Sequence, residues 1–433
     1  MRYILLIISL LCTLFVSAQT DKVDKVKVVV TDSLTGERIP FASILYPGTD
    51  GGTLCDNRGV ATVIFRKSDR RITAQVLGYA PKTVTVPSGR KNFTIPLSPT
   101  SVTLKEVTVR RSKEKYHKKN NPAVAFAQSI KDRQHLTDPR RHPYYNYPKY
   151  ERITMGINDF VITDDDSWLG NKFGFLKNHV DTNEVTGRPV LTLSVREKTS
   201  DILYRRNPES EREYVTGTRR AGIDDVMSNQ ENLSEMLSDV FREVDLYQND
   251  ITLMQNRFVS PLGRIATDFY KFYLTDTVQV GDDRCIVLSF APHNLSSFGF
   301  TGRVYVPIND TTMFIKKVEM RAPNDINLNF IQNLYINQEY ERADDGSRLR
   351  SHDDMVVSLQ LMPGTPSVLV RRNIAYSDHN FDPSPRGEIL EGMARTVTDS
   401  KATTRDDTFW HQQRLIPLTH NEAQVENLMR QLR

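Results

Sequence analysis

Between residues 26 and 97, apolar and polar positions alternate in short runs: VKVVV, ATVIF, ITAQVLGY and KTVTV. The turn-forming segments DSLTGER, PGTDGG and DNRG separate them. Alternation with period two places every second side chain on one face, so this stretch predicts a small antiparallel β-sandwich over residues 24–99. In its first turn, within TDSLTGERIPFASI (31–44), Asp32 can cap the backbone two residues on and Gly36 accepts positive φ. Pro40 suits a strand start or edge, where its missing N–H costs no ladder bond.

From Tyr144 to Tyr376 the pattern is again mainly that of strands. The longest are YNYPKYERITMGI, PVLTLSVREKTSDILYRR, TDFYKFYLTDTV, RCIVLSFAP, FIQNLYINQEYER, DDMVVSLQLM and SVLVRRNIAYS, with GRVYVPI and TTMFIKKVEMRA between them. Hairpin signals at VGDDR, INDTT and ADDGS predict a long antiparallel meander. Three helices punctuate it. Asn121-Pro122 supplies an N-cap and a first helical residue, followed by Val124, Phe126, Ala127 and Ile130 as an apolar face, and TDPRRHP ends that helix. SNQENLSEMLSDVF (228–241) starts with a Ser228/Glu231 capping box. Thr419 and Glu422 repeat the device before a helix over 419–433 with Val425, Leu428, Met429 and Leu432 as its stripe. The expected fold class is therefore mainly β with two or three helices, as a small sandwich and a larger antiparallel sheet domain over 122–418.

Composition bounds the partners. The chain of 433 residues has 39% hydrophobic and 25% charged residues, and 57 basic against 53 acidic side chains leave a formal charge of +4. No global field favours nucleic acid. The opening MRYILLIISLLCTLFVSAQT has one Arg, an apolar run from Ile4 to Val16, and small residues at Val16-Ser17-Ala18. That is the pattern of a secretory signal peptide over 1–18, cut between Ala18 and Gln19. The run is short of the roughly 20 residues that span a bilayer as an uncleaved anchor. Cys12 offers lipid attachment as an alternative, but Leu11 precedes it where such processing wants a small residue. Past the leader only Cys55 and Cys285 remain, expected as two buried thiols in different domains rather than as a disulfide.

Two resemblances become specific at quoted residues. VVVTDSLTGERIPFASILYPGTDGGTLCDNRGVATV with ITAQVLGYAPKTVTV resembles the carboxypeptidase-regulatory-like, transthyretin-like β-sandwich that heads many exported proteins of Gram-negative bacteria. The resemblance implies a stabilising or docking module without peptidase activity. TLKEVTV, which follows, resembles the strand after such sandwiches in outer-membrane receptors. From about residue 122 onward, LYRRNPESEREYVTGTRRAGI, SPLGRIATDFYKFYLTDT, FTGRVYVPINDTTMFIKKVEM and DDTFWHQQRLIPLTHNE resemble the body of an exported, outer-membrane-associated family of unknown function. In that family a strand-rich, barrel-like half normally follows. Between the two, residues 100–121 form a basic linker in which Arg110, Arg111, Lys113, Lys115, Lys118 and Lys119 stand close together. A solvated linker is one reading and contact with anionic lipid headgroups the other.

Catalytic signatures are not visible. There is no G-x-S-x-G elbow, H-E-x-x-H helix or motif-flanked Cys. His117, His135 and His142 lack metal-ligand spacing, as do His411 and His420. Asp164-Asp165-Asp166 presents consecutive carboxylates where a calcium loop alternates its ligands, and Asp224-Asp225 and Asp282-Asp283 read as helix-start and turn residues. Tyr144, Tyr145, Tyr147 and Tyr150, and Phe269, Tyr270, Phe272 and Tyr273, form aromatic stripes that read as packing material before they read as sugar platforms. Trp168 and Trp410 are the chain's two tryptophans.

No catalytic residue, cofactor or metal is expected. The function expected is that of a non-enzymatic binding or assembly protein of the periplasm and outer membrane. Its partner would be an envelope protein or the barrel half of a longer chain, with lipid contact through the basic linker. Two alternatives stand beside this: a lipid or lipoprotein carrier with an apolar half-barrel, and an unrecognised hydrolase.

Overall fold

The computed structural model describes residues 24–33, 36–39, 42–46, 52–56, 58–65, 70–76, 79–98, 116, 118–160, 174–182, 189–223, 241–253, 256–294, 296–323, 326, 331–360 and 367–432. The leader with its Ala18/Gln19 cut, most of the basic linker, Asp164–Asp166, Trp168, Asp224-Asp225 and all but the last residue of the helix predicted at 228–241 lie outside them. The chain divides into two compact units.

Among the described residues the smaller unit holds seven strands: β1 (Asp24–Asp32), β2 (Ser43–Leu45), β3 (Gly52–Leu54), β4 (Val60–Phe65), β5 (Arg71–Gln75), β6 (Lys82–Thr85) and β7 (Asn92–Leu97). They form two sheets, β4-β1-β7 and β3-β2-β5-β6. All pairs are antiparallel except β1 with β7, which is parallel. The alternation read from sequence is realised: Val26, Val28 and Val30 of β1 are fully buried with Val63 of β4 and Ile95 and Leu97 of β7, and Ile44, Ile72 and Ala74 of the other sheet join the same core. Gly36 adopts φ +70° in the first turn and donates to the Asp32 carbonyl at 2.9 Å. The Asp32 carboxylate is buried and accepts from the Tyr79 hydroxyl at 2.7 Å.

The larger unit is built on one sheet of twelve strands: β8 (Tyr144–Asn158), β9 (Val180–Thr182), β10 (Pro189–Arg205), β11 (Ser210–Gly222), β14 (Tyr270–Val280), β15 (Asp283–Pro292), β16 (Thr301–Pro307), β17 (Lys317–Arg321), β18 (Ile331–Arg342), β19 (Arg348–Leu359), β20 (Val368–Tyr376) and β21 (Thr396–Thr398). A hairpin of β12 (Asp250–Leu253) and β13 (Asn256–Val259) stands apart. The expected meander holds from β14 to β20, but the sheet then continues into β8, β10 and β11, so the first long strand lies against the last strand of the meander. β11 has charged residues at positions of both faces and did not show itself as a strand by alternation.

Two of the predicted helices, those capped at Asn121 and at Thr419, start where their caps placed them; the one expected at 228–241 lies outside the described residues but for Phe241. α1 (Pro122–Arg133) starts at Asn121, whose side chain accepts from the Ala123 N–H, and buries Ala123, Ala127 and Ile130. α2 (Ala266–Phe269) is a single turn, and α3 (Asp407–Gln413) is capped by Asp406. The terminal helix is two pieces, α4 (His420–Ala423), with the Thr419/Glu422 capping box formed, and α5 (Val425–Leu432). Val425 and Leu428 are buried, and a Cβ on Gly222 of β11 would stand 2.5 Å from Val425 Cγ1, which identifies the surface this helix covers.

One face of the meander carries the core. Tyr270, Phe272, Leu288, Phe290, Val304, Val318, Ile336, Met355 and Val370 pack there under α1 and under Phe241–Leu262, whose Phe258 ring stacks on Phe300 at 4.8 Å. Packing is tight enough that a Cβ on Gly302 of β16 would fall 2.2 Å from the Glu319 carbonyl oxygen and 2.8 Å from the Phe290 ring. Gly302→Ala is therefore expected to cost about 1–3 kcal/mol through backbone displacement, read as a lower urea midpoint with unchanged slope.

Both sheet edges are protected. On the β14 edge the Phe272 N–H donates to the Tyr116 hydroxyl at 3.1 Å, a bulge interrupts the register between Leu274 and Asp276, and the Thr277 N–H is taken by the Asp276 carboxylate at 2.5 Å. On the β11 edge the C-terminal strap of residues 390–426 lies alongside: β21 pairs in parallel with Glu213–Val215, and the Ser210 hydroxyl, Arg212 and the Thr218 N–H donate to the carbonyls of Leu390, Gly392 and Ala402. Such devices prevent strand addition by another chain.

Candidate functional site

Odd residues of β8 and even residues of β20 face the side that carries the core. Beyond the apolar part, that face turns ionic. Lys149 and Glu151 of β8, Lys198 and Ser200 of β10 and Glu213 of β11 form one strip. Lys198 Nζ lies 3.1 Å from Glu213 and 3.7 Å from Glu151, Lys149 Nζ lies 3.7 Å from Glu151 and 3.9 Å from Glu213, and the Ser200 hydroxyl donates to Glu213 at 2.9 Å. The four charged side chains are between 14% and 30% exposed, so water reaches the strip without flooding it. Burial alone would raise the Glu151 pKa, but Lys198, Lys149 and Arg372 outweigh it and hold it at about 2. The same balance holds Glu213 below the usual carboxylate range, with burial opposed by Lys198 and Lys149.

Between strip and core sits a fully buried polar group. Gln338 donates to Asp353 at 2.9 Å and to the Val244 carbonyl at 2.8 Å, and accepts from the Tyr340 hydroxyl at 3.0 Å. Arg372 donates to the Phe241 carbonyl at 2.5 Å, while its Nη2 stands 3.9 Å from Asp353. Among the described residues Arg372 Nε and Nη2 and Asp353 Oδ1 meet no hydrogen-bond partner. At the far end of the strip an aromatic group closes the face. Tyr145 stacks on His379 and meets its Nδ1 with its hydroxyl at 3.0 Å, and His379 Nε2 reaches the Arg350 carbonyl at 2.9 Å. Burial pushes the His379 pKa down, which favours the neutral ring, in which Nε2–H donates to the carbonyl and Nδ1 accepts from the phenol. Arg350 pairs with Glu243 at 2.6 Å, and the Arg348 guanidinium lies 3.4 Å above the Tyr247 ring.

Among the described residues, those singled out from sequence do not converge; His117, Asp164–Asp166, Trp168 and Asp224-Asp225 lie outside them. Tyr145, Tyr150, Tyr270 and Phe272 are buried in packing, and Trp410, itself part of the C-terminal strap, is buried rather than displayed as a sugar platform. His135 contacts the Asp132 carbonyl, His142 pairs with Asp345 at 2.7 Å, and His411 and His420 are exposed elsewhere. Asp283 pairs with Lys316 at 3.0 Å beside its hairpin turn. Cys55 and Cys285 are both buried and form no disulfide. Among the described residues no three His, Cys, Asp or Glu side chains gather closely enough to hold a metal ion, and no helix is long and apolar enough to cross a membrane.

Two open grooves mark the unit's surface. One of about 680 Å³ is lined by Thr218, Arg219, Arg220, Arg405, Asp406, Asp407 and Trp410, and one of about 450 Å³ by Val278, Gln279, Tyr305, Lys317, Glu319 and Glu339. Both are polar.

Residues 159–363 match the model described as a family of unknown function, DUF5686. Among solved structures the chain is similar to a LolA superfamily protein from Nitrosomonas europaea, at 12% identity over 61% of this chain and 96% of that one with a TM-score of 0.23. It is also similar to the MucA/MucB complex of Pseudomonas aeruginosa, at 8% identity over 57% of this chain and 94% of the matched chain with a TM-score of 0.17. No curated protein matches the chain.

Proposed function

We propose that the chain is a non-enzymatic binding or assembly protein of the cell envelope, exported to the periplasm and associated with the outer membrane. Its partner is an envelope protein or the barrel half of a longer chain. The observation that supports this reading most is the ionic strip of Lys149, Glu151, Lys198 and Glu213, set on a sheet face that is elsewhere apolar. Taking paired charges out of water costs desolvation, and a well-packed apolar set of the same shape would hold the sheet as well, so the strip fits recognition as well as folding. Its charges balance. It therefore suits a polar, extended protein segment better than a small anion or cation. Because both sheet edges are protected, the partner docks on a face rather than adding a strand. The sandwich, as a carboxypeptidase-regulatory-like module, serves as a second docking or stabilising element.

The test is a pull-down from membrane extracts with three baits: the chain from Gln19 onward, the same chain lacking residues 19–99, and Lys198→Gln, each checked for folding by circular dichroism. The strip reading expects a protein captured by the first bait and lost with Lys198→Gln. Capture that is indifferent to Lys198 overturns it. Loss in the shortened bait alone assigns recognition to the sandwich.

A further inference from the structure

One end of the larger unit displays apolar side chains on loops that also carry an excess of cations. Ile265 is 51% exposed and Phe298 37% exposed. They lie on adjoining loops to either side of Phe269. The Ile265 carbonyl accepts from the N–H groups of Asp268 and Phe269 at 3.0 Å, the Phe269 carbonyl accepts from His293 at 3.0 Å, and a Cβ on Gly299 would meet the Phe269 ring at 2.4 Å. Neither loop is slack. The Phe298 carbonyl accepts from Val259 at 3.0 Å, its ring stands edge-on to the buried Phe258 at 5.5 Å, and the Arg264 N–H is held by the Asn249 side chain at 2.8 Å. Exposure is therefore built into the fold.

The surrounding charge has one sign in excess. Lys118, Lys119, Arg257 and Arg264 are exposed, Lys131 reaches the Arg264 carbonyl at 3.1 Å, and Lys271 lies on the first turn of β14. Against them stand Asp268, paired with Lys118, Asp250, paired with Arg257 at 2.8 Å, and Asp132. His293, in the same loop as Phe298, is held below its ordinary pKa by burial and then by Lys271 and Lys118, with Asp268 opposing. A lone exposed apolar side chain is ordinary. Two on adjoining rigid loops, among basic residues, match the chemistry of a surface that is apolar below and anionic above.

We propose that this end docks the protein on an anionic phospholipid surface, with Ile265 and Phe298 entering the headgroup boundary and Lys118, Lys119, Arg257 and Arg264 meeting the phosphates. Insertion of two side chains and the pull of a few cations are each weak; together they give reversible attachment. The charge requirement makes attachment depend on lipid composition and salt.

Vesicle flotation of the chain from Gln19 onward decides it, with phosphatidylcholine alone against phosphatidylcholine mixed with phosphatidylglycerol. Flotation is expected only with the mixed vesicles and falls as salt is raised. Ile265→Ser with Phe298→Ser, and separately Lys118→Glu with Arg264→Glu, are each expected to weaken partitioning by about tenfold or more in variants that thermal melts and circular dichroism show to be folded. Equal flotation with both vesicles, retention by either folded variant, or no flotation at all overturns the proposal; the last is what a protein partner at this end would give.

Discussion

Replacing Arg414 by alanine should lower the stability of the larger unit by about 3–5 kcal/mol, the usual cost of breaking a buried ion pair from one side. Arg414 follows α3 and grips Glu197 of β10 with two parallel bonds, Nε to Oε1 at 2.6 Å and Nη2 to Oε2 at 2.7 Å. The Glu197 side chain is 3% exposed, and it also accepts from the Tyr150 hydroxyl at 2.7 Å. Truncation leaves that carboxylate buried with the phenol as its support. Arg414→Lys keeps the charge and loses the fork, so it should cost less without being neutral. The double change Glu197→Gln with Arg414→Met removes both charges and should recover part of the loss. Urea unfolding followed by tryptophan fluorescence reads all three, since Trp410 is buried one helical turn before Arg414. A second effect follows. The strap that Arg414 fastens also covers the β11 edge, so the alanine variant should self-associate in light scattering as that edge opens. Equal midpoints for parent and alanine variant would show that the strap is held elsewhere.

The sequence carried much of this architecture because local physics wrote it there. Asn121-Pro122 and Thr419/Glu422 are caps, and caps are decided by neighbours in the chain; both formed as read. The long strands of the meander alternate cleanly because one of their faces is apolar. β11 escaped for the converse reason: Glu211, Arg212, Glu213, Arg219 and Arg220 place charge on both faces, and the strand is held at its edge by backbone and ionic bonds to a segment almost two hundred residues later. The strip was invisible by the same logic. Lys149, Glu151, Lys198 and Glu213 read along the chain as the solvated positions of three strands. They face the core side only because β8 lies between β20 and β10, and that neighbourhood is set by the whole sheet.

The strip also fixes how the larger unit should respond to acid. Glu151 is held at about 2 in the folded chain, below its ordinary value of 4.5. A carboxylate with a depressed folded pKa contributes stability that is complete above its unfolded value and is lost as pH falls through the folded one. The window is therefore from about 4.5 down to about 2, and the contribution at neutral pH is on the order of 3 kcal/mol. Glu213, held low by Lys198 and Lys149 against its own burial, adds in the same direction. The parent chain should thus lose stability steeply between pH 5 and pH 2.5 in urea titrations, about these pKa values. Glu151→Gln should be less stable at pH 7, because Lys149 and Lys198 then share Glu213 as their remaining strip partner, and it should fall less on acidification. The two stability curves should converge near pH 2, where the parent's carboxylate also becomes neutral. Parallel curves over the whole range would mean that the lysines do not hold Glu151 ionised, and that the strip is solvated rather than paired.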